Sequence, residues 1–152
     1  MTITQKAMAG VREEQKFNDE MEKFNNNNFP EYVKQRRKEI KEEAKALTQK
    51  TFYNSEFDKE IKLYNSGIKE WINQPHKHYV KKNELLLDIE NVIKNAKYKG
   101  DSTYKGYSSH IFETTINGDK TWIIATEING RGVAIYSISD SIKVLEGIKK
   151  VI

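Results

Sequence analysis

Two turn signals divide residues 110–139 into three apolar runs, and they constrain the fold more than any other feature. Asn117-Gly118-Asp119 separates HIFETTI (110–116) from TWIIATEI (121–128). Asn129-Gly130 separates the second run from VAIYSIS (133–139). Asn-Gly between alternating apolar segments is the pattern of a tight hairpin, because both residues tolerate the positive φ of the favoured two-residue turns. The three runs are therefore expected to pair as consecutive hairpins in an antiparallel meander.

Upstream, EIKLY (60–64) alternates Ile61 and Leu63 with Lys62 and Tyr64, as a half-buried strand does. Asn65-Ser66-Gly67 reads as a turn or cap. IKEWIN then starts a short helix with Ile68, Trp71 and Ile72 inward, stopped at Gln74-Pro75. NELLLDIENVIKNA reads as a second helix, N-capped by Asn83 with Glu84 beside the positive helix end. Leu86, Ile89, Val92 and Ile93 form its buried stripe. KYKGDSTYKGYSS has no helical period and reads as a mobile loop. A last short helix, SIKVLEGIKKVI, is placed to cover one sheet end. The expected fold is α+β, with helices on one face of a small antiparallel sheet (the meander plus one earlier strand) and the other face open.

Residues 1–51 read differently, as a helical arm or linker ahead of an α+β domain at 52–152. Phe17, Met21 and Phe24 make a short apolar stripe, ended by the asparagines at 25–28 and by Pro30. A second helix is expected from about Pro30 to Gln49. Its stripe of Val33, Ile40, Ala44 and Leu47 is thin, which suits a helix that leans on another surface or is partly free.

Composition narrows the chemistry. The 152 residues suffice for one domain with an ordinary core. The net charge of +4 permits nucleic-acid binding without demanding it. The absence of cysteine removes disulfides, thiolate zinc sites and a cysteine nucleophile. No apolar run approaches a membrane span, and the first residues lack the apolar core of a signal peptide. A soluble protein that is not secreted by the usual route is expected. Lysine far outnumbers arginine, a coding bias that weakens any argument from lysine counts.

All three histidines, His76, His78 and His110, fall in one window with Lys77, Lys81 and Lys82. Histidine has its unperturbed pKa nearest neutrality, so the window is a candidate for proton transfer. HxH is also a metal-ligand pair, but no HExxH or regular carboxylate pattern accompanies it, and neither metal nor cofactor is expected. Phosphate-loop, dinucleotide and GxSxG patterns are absent. Metal-free acid–base chemistry on RNA remains, because RNA carries its own 2′-hydroxyl nucleophile. It needs a base, an acid and donors for the charge that develops on phosphate. His110, Glu113, Thr126, Glu127, Arg131, Tyr136 and Ser137 all lie on or beside the meander. Strand alternation puts His110 and Phe112 on one face, with Glu113 and Thr115 on the other, although His110 stands at the strand start, where loop geometry can turn it either way. Tyr98, Tyr104 and Tyr107 among Lys97, Lys99 and Lys105 suit base stacking with phosphate contact, and equally suit an ordinary covering loop.

The ordered stretches EIKLYNSGIKEWINQPHKHYVKKNELLLDIENVIKNAKY and HIFETTINGDKTWIIATEINGRGVAIYSIS resemble the phage-associated nuclease-like domains of the barnase–EndoU–colicin–RelE group. Such domains occur at the C-termini of phage head-morphogenesis and polyvalent proteins. The resemblance spans about residues 57–145 and implies a metal-independent RNase site on the sheet. It implies roles for His110 near the first meander strand, Ser137 near the end of the last, and Thr126 or Glu127 in the middle one. The resulting expectation is an endoribonuclease-like domain of phage or mobile-element origin, in the host cytoplasm or associated with the virion. Its acid–base set would be His110, with His78 or Glu127 as complement and Ser137 in support. Lys81, Lys82, Thr126, Arg131 and Tyr136 would hold the RNA. The alternative is a non-catalytic phage, host-interaction or virion module of the same fold, with the arm at 1–51 contacting a protein partner.

Overall fold

A computed structural model of the protein describes residues 30–104 and 106–148. The stripe of Phe17, Met21 and Phe24 and the asparagine run lie outside the described residues. Helix α1 spans Glu31–Ala44 and continues as a 3-10 turn over Lys45–Gln49. Strands β1 (Phe52–Asn54) and β2 (Phe57–Lys62) form a hairpin. Helices α2 (Asn65–Asn73), α3 (Tyr79–Leu85) and α4 (Ile89–Asn95) follow. Then come β3 (Lys97–Tyr104), β4 (Tyr107–Ile116), β5 (Asp119–Ile128) and β6 (Gly132–Ser139), and a final 3-10 turn at Ile142–Gly147.

The fold is α+β, and β4–β5–β6 pair as consecutive antiparallel hairpins, β4–β5 in unbroken register and β5–β6 across a three-residue loop with a register shift between Ile124 and Ala125. Asn117 and Gly118 both have positive φ, 52° and 82°, as a two-residue hairpin turn requires. The sheet is larger than the meander plus one strand, and it is mixed. Its order is β1-β2-β6-β5-β4-β3, and β2 runs parallel to β6 through Ile61↔Val133 and Lys62↔Ala134.

The segment expected as a mobile loop is largely strand β3, paired with β4 from Lys97↔Glu113 to Tyr104↔Tyr107. It is an outer strand with one neighbour, so its side chains need not alternate apolar and polar, and its tyrosine, serine and threonine suit a half-covered surface. Gly100, at φ 123°, sits where the register shifts.

One sheet face carries the main core. Trp71, Ile72, Leu86, Ile89 and Ile93 from the helices are fully buried on Phe112, Ile123 and Ile135. Helix α1 joins this core through Ile40 and Ala44, while Val33 packs on Tyr79. The thin stripe therefore leans on the body. Arg36 ties the helix down further, with Nε and Nη2 at 2.5 and 2.7 Å from the two carboxylate oxygens of Glu84. Helix α2 lies so close to β6 that a Cβ on Gly67 would stand 2.3 Å from the Ile135 carbonyl oxygen. Only glycine admits that approach.

Three local expectations are corrected. Asn83 is no N-cap: it lies buried inside α3, which begins at Tyr79 with His78 in the N-cap position. Of the last expected helix, the described part is a 3-10 turn over Ile142–Gly147. The second sheet face is not open, because Val144, Leu145 and Ile148 cover Ile111, Trp122 and Ile124.

Candidate functional site

Register places the site. His110 on β4 stands opposite Asp101 of β3 and Ala125 of β5, and Glu127 lies two residues beyond Ala125 on the same face. His110 shares that face with Phe112, and Glu113 lies on the other, where its carboxylate accepts from the Trp122 indole at 3.0 Å. The start of β2 reaches across the sheet to this point. Phe57 packs 4.8 Å from the His110 ring and 5.1 Å from Tyr98, and Glu56 accepts from the Tyr98 backbone N–H at 3.2 Å.

His110 is 3% exposed, and both ring nitrogens meet carboxylates. Nδ1 lies 2.6 Å from Asp101 Oδ1, and Nε2 lies 3.1 Å from Glu127 Oε1. The Tyr98 hydroxyl donates to the same Asp101 oxygen. The Lys59 ammonium donates to Glu127 Oε1 at 2.9 Å. Burial would raise the Asp101 carboxyl, but hydrogen bonds from Tyr98 and His110 hold it below its ordinary value. Hydrogen bonds from Lys59 and then His110 likewise hold Glu127 low. Burial, and then the bond to Asp101, push the Tyr98 phenol up. Both carboxylates stay accessible, with side chains 57% and 41% exposed, so the buried imidazole reaches solvent through them.

Glu127 also lines a groove of about 430 Å³ with Ser66, Tyr107, Thr126, Asn129 and Tyr136. Three expected site residues, Thr126, Glu127 and Tyr136, thus meet at one groove, with His110 behind Glu127. Arg131 sits in the adjoining β5–β6 turn, its guanidinium 5.6 Å from the Tyr64 ring centroid.

The other expected residues lie elsewhere. Ser137 is on the opposite face. The register shift between Ile124 and Ala125 makes Tyr136 an extra residue on β6, so Ser137 pairs with Ile124 and turns away from His110. Its hydroxyl is buried with no hydrogen-bond partner. Lys82 is fully buried, and its ammonium donates to the carbonyls of Trp71, Ile72 and Gln74 at the C-terminal end of α2, out of reach of a solvent-borne phosphate.

His78 joins a separate set at the β4–β5 turn. Its Nε2 lies 2.7 Å from Asp119, which also pairs with Lys77 at 3.2 Å. Lys81 donates to Asn117 there at 2.7 Å. His76 Nδ1 accepts from the His78 backbone N–H at 2.8 Å, so the ring proton sits on Nε2 and faces the Thr121 hydroxyl at 2.9 Å. Burial above all lowers the His76 pKa, to about 4. Asp119 pairs six residues along β4 from His110, which separates the two histidine sets by about 20 Å. Among the described residues, no group of three or more histidine, aspartate or glutamate side chains is placed to hold a metal ion.

Neither Lys59 nor Asp101 is among the site residues expected from the sequence. The alternation of Phe57, Lys59 and Ile61 carried the signal for Lys59, because these three share a face of β2. No described helix is long and apolar enough to cross a membrane. A family model described as large polyvalent protein-associated domain 3 matches residues 31–136, from α1 into β6, and includes the groove and the His110 set. No curated protein and no solved structure matches the chain.

Proposed function

The chain belongs to the large polyvalent protein-associated domain 3 family, and we propose that it is an RNA-acting domain of a phage polyvalent protein that cleaves by metal-independent acid–base chemistry in the groove beside Glu127. The single observation that carries this reading is the placement of Glu127. An accessible carboxylate held ionised lies on a groove wall between a lysine and a histidine–aspartate pair. Glu127 would take the 2′-hydroxyl proton, the 2′-oxygen would bond to phosphorus, and the bond to the 5′-oxygen would break, with water in the open groove supplying the leaving-group proton. Lys59, bonded to Glu127, and Arg131, in the adjoining β5–β6 turn, would meet phosphate charge. Tyr107, 58% exposed, would offer a stacking face. The protein would act in the host cell or travel with the virion.

The test is RNA incubation of the full chain with EDTA, comparing wild type, Glu127→Gln and His110→Ala. Wild type should leave 2′,3′-cyclic phosphate ends, and Glu127→Gln should slow cleavage by roughly 100-fold or more. Unchanged cleavage by Glu127→Gln would remove it as the base. A second reading, a non-catalytic interaction module of the same fold, is favoured by the burial of His110 with both nitrogens engaged. No cleavage by wild type would favour that reading, with the part of residues 1–51 that precedes α1 proposed as the contact to a protein partner.

A further inference from the structure

We infer that His110 is a proton-operated latch on Glu127, set by Asp101 and Tyr98 as positioning residues. The inference rests on Glu127 as the base of the proposed reaction. Ionised carboxylates only accept hydrogen bonds. With Asp101 Oδ1 at 2.6 Å from Nδ1 and Glu127 Oε1 at 3.1 Å from Nε2, both contacts are full hydrogen bonds only when each ring nitrogen carries a proton. A ring with one proton satisfies one carboxylate and turns a lone pair on the other, which repels it. The proton stays on the Asp101 side. That contact is the shorter, and the Tyr98 hydroxyl pins the same aspartate oxygen. Loss of the second proton therefore releases Glu127, whose remaining partner is the exposed Lys59 ammonium at 2.9 Å.

Glu127 is then free to turn into the groove it already lines. The base is clasped when the ring is doubly protonated and freed when it is not. The charged and titratable groups that set this equilibrium are Tyr98 and Asp101 from β3, Glu127 from β5 and Lys59 from β2, with Asp58 of β2 the next charge out. Phe57 closes the remaining side of the ring.

Ring ¹⁵N resonances of His110 read the latch directly. They should be followed from pH 4 to 9 in the full chain as wild type, Asp101→Asn, Tyr98→Phe and Glu127→Gln. In wild type, the high-pH ring should carry its proton on Nδ1. In Asp101→Asn the titration midpoint should fall by about one pH unit, because an opposite charge that favours the imidazolium is gone. Tyr98→Phe, which keeps the aspartate, should move it less. If the variants that fold show an unmoved midpoint, or if the high-pH ring of wild type carries its proton on Nε2, the latch is wrong. RNA cleavage supplies the second arm: its rise with pH should track the ring titration and move to lower pH in Asp101→Asn. Absence of cleavage in every protein would overturn the proposed reaction and leave the ring titration to decide the latch.

Discussion

Lys82 and Trp71 hold each other twice: the Lys82 ammonium donates to the Trp71 carbonyl at 2.5 Å, and the Trp71 indole N–H donates back to the Lys82 carbonyl at 2.8 Å. Two further carbonyls, of Ile72 and Gln74, complete the ammonium's three donors, and the Tyr79 ring lies 4.4 Å from it. Burial drives this lysine's pKa well down, while the carbonyl end of α2 favours the charged form. Lys82→Met fills the volume but leaves those carbonyls without the donor. Denaturant unfolding should show a loss of about 2–4 kcal/mol. RNA binding by the folded fraction should be unchanged, because the ammonium faces no groove.

Gly67→Ala tests the contact between α2 and β6. The added methyl would stand 2.3 Å from a backbone oxygen, so helix or strand must shift. Alanine elsewhere in a helix is favourable, yet here the cost should be about 1–3 kcal/mol. Thermal melts of the two proteins decide it, and a stabilised variant would refute the close approach.

His76 predicts an acid-side loss of stability. Its folded pKa of about 4 lies below the ordinary value of 6.5 given by an unfolded chain. Between these values the unfolded state binds more protons, so stability is complete above pH 6.5 and falls as pH drops towards 4. Two and a half units set an upper bound of about 3 kcal/mol. In His76→Gln, unfolding free energy measured from pH 7 to 4 should have a flatter slope. An unchanged slope would mean that the ring charges freely in place.

The C-terminal turn should act as a cover for Trp122. Val144 and Leu145 pack on Ile111, Trp122 and Ile124, and their own side chains are only partly buried. Val144→Ser with Leu145→Ser should red-shift the Trp122 emission with little change in far-ultraviolet circular dichroism, while the other tryptophan, Trp71, stays buried. A Trp71→Phe background isolates the signal.

What the sequence disclosed and what it hid follow from range. The Asn117-Gly118 turn and the stripe of Leu86, Ile89 and Ile93 are local patterns, and both were legible. The face of His110 was left open, because the apolar run starts there and a loop could turn its first residue either way; β4 in fact begins at Tyr107, and the longer pairing fixes His110 opposite Ala125. The face of Ser137, given a site role by the family resemblance, was hidden because one extra residue, Tyr136, turns the rest of β6 over, and no residue type announces such a bulge. Lys59 meets Glu127 across 68 positions, and the pairing that joins them is the parallel one, which no turn signal marks. Lys82 looked like a surface cation because its partners are backbone carbonyls, which every sequence offers everywhere.

The parallel pairing of Ile61 with Val133 bears on how the chain acquires its shape during synthesis. The two strands are separated by about seventy residues, so β1 and β2 cannot take their final place until β6 has left the ribosome. Closing so long a loop comes late and slows folding. The domain should therefore be won or lost as a single post-translational event. Inside a longer polypeptide, whatever follows it would be emerging while its first strands still had an unsatisfied edge.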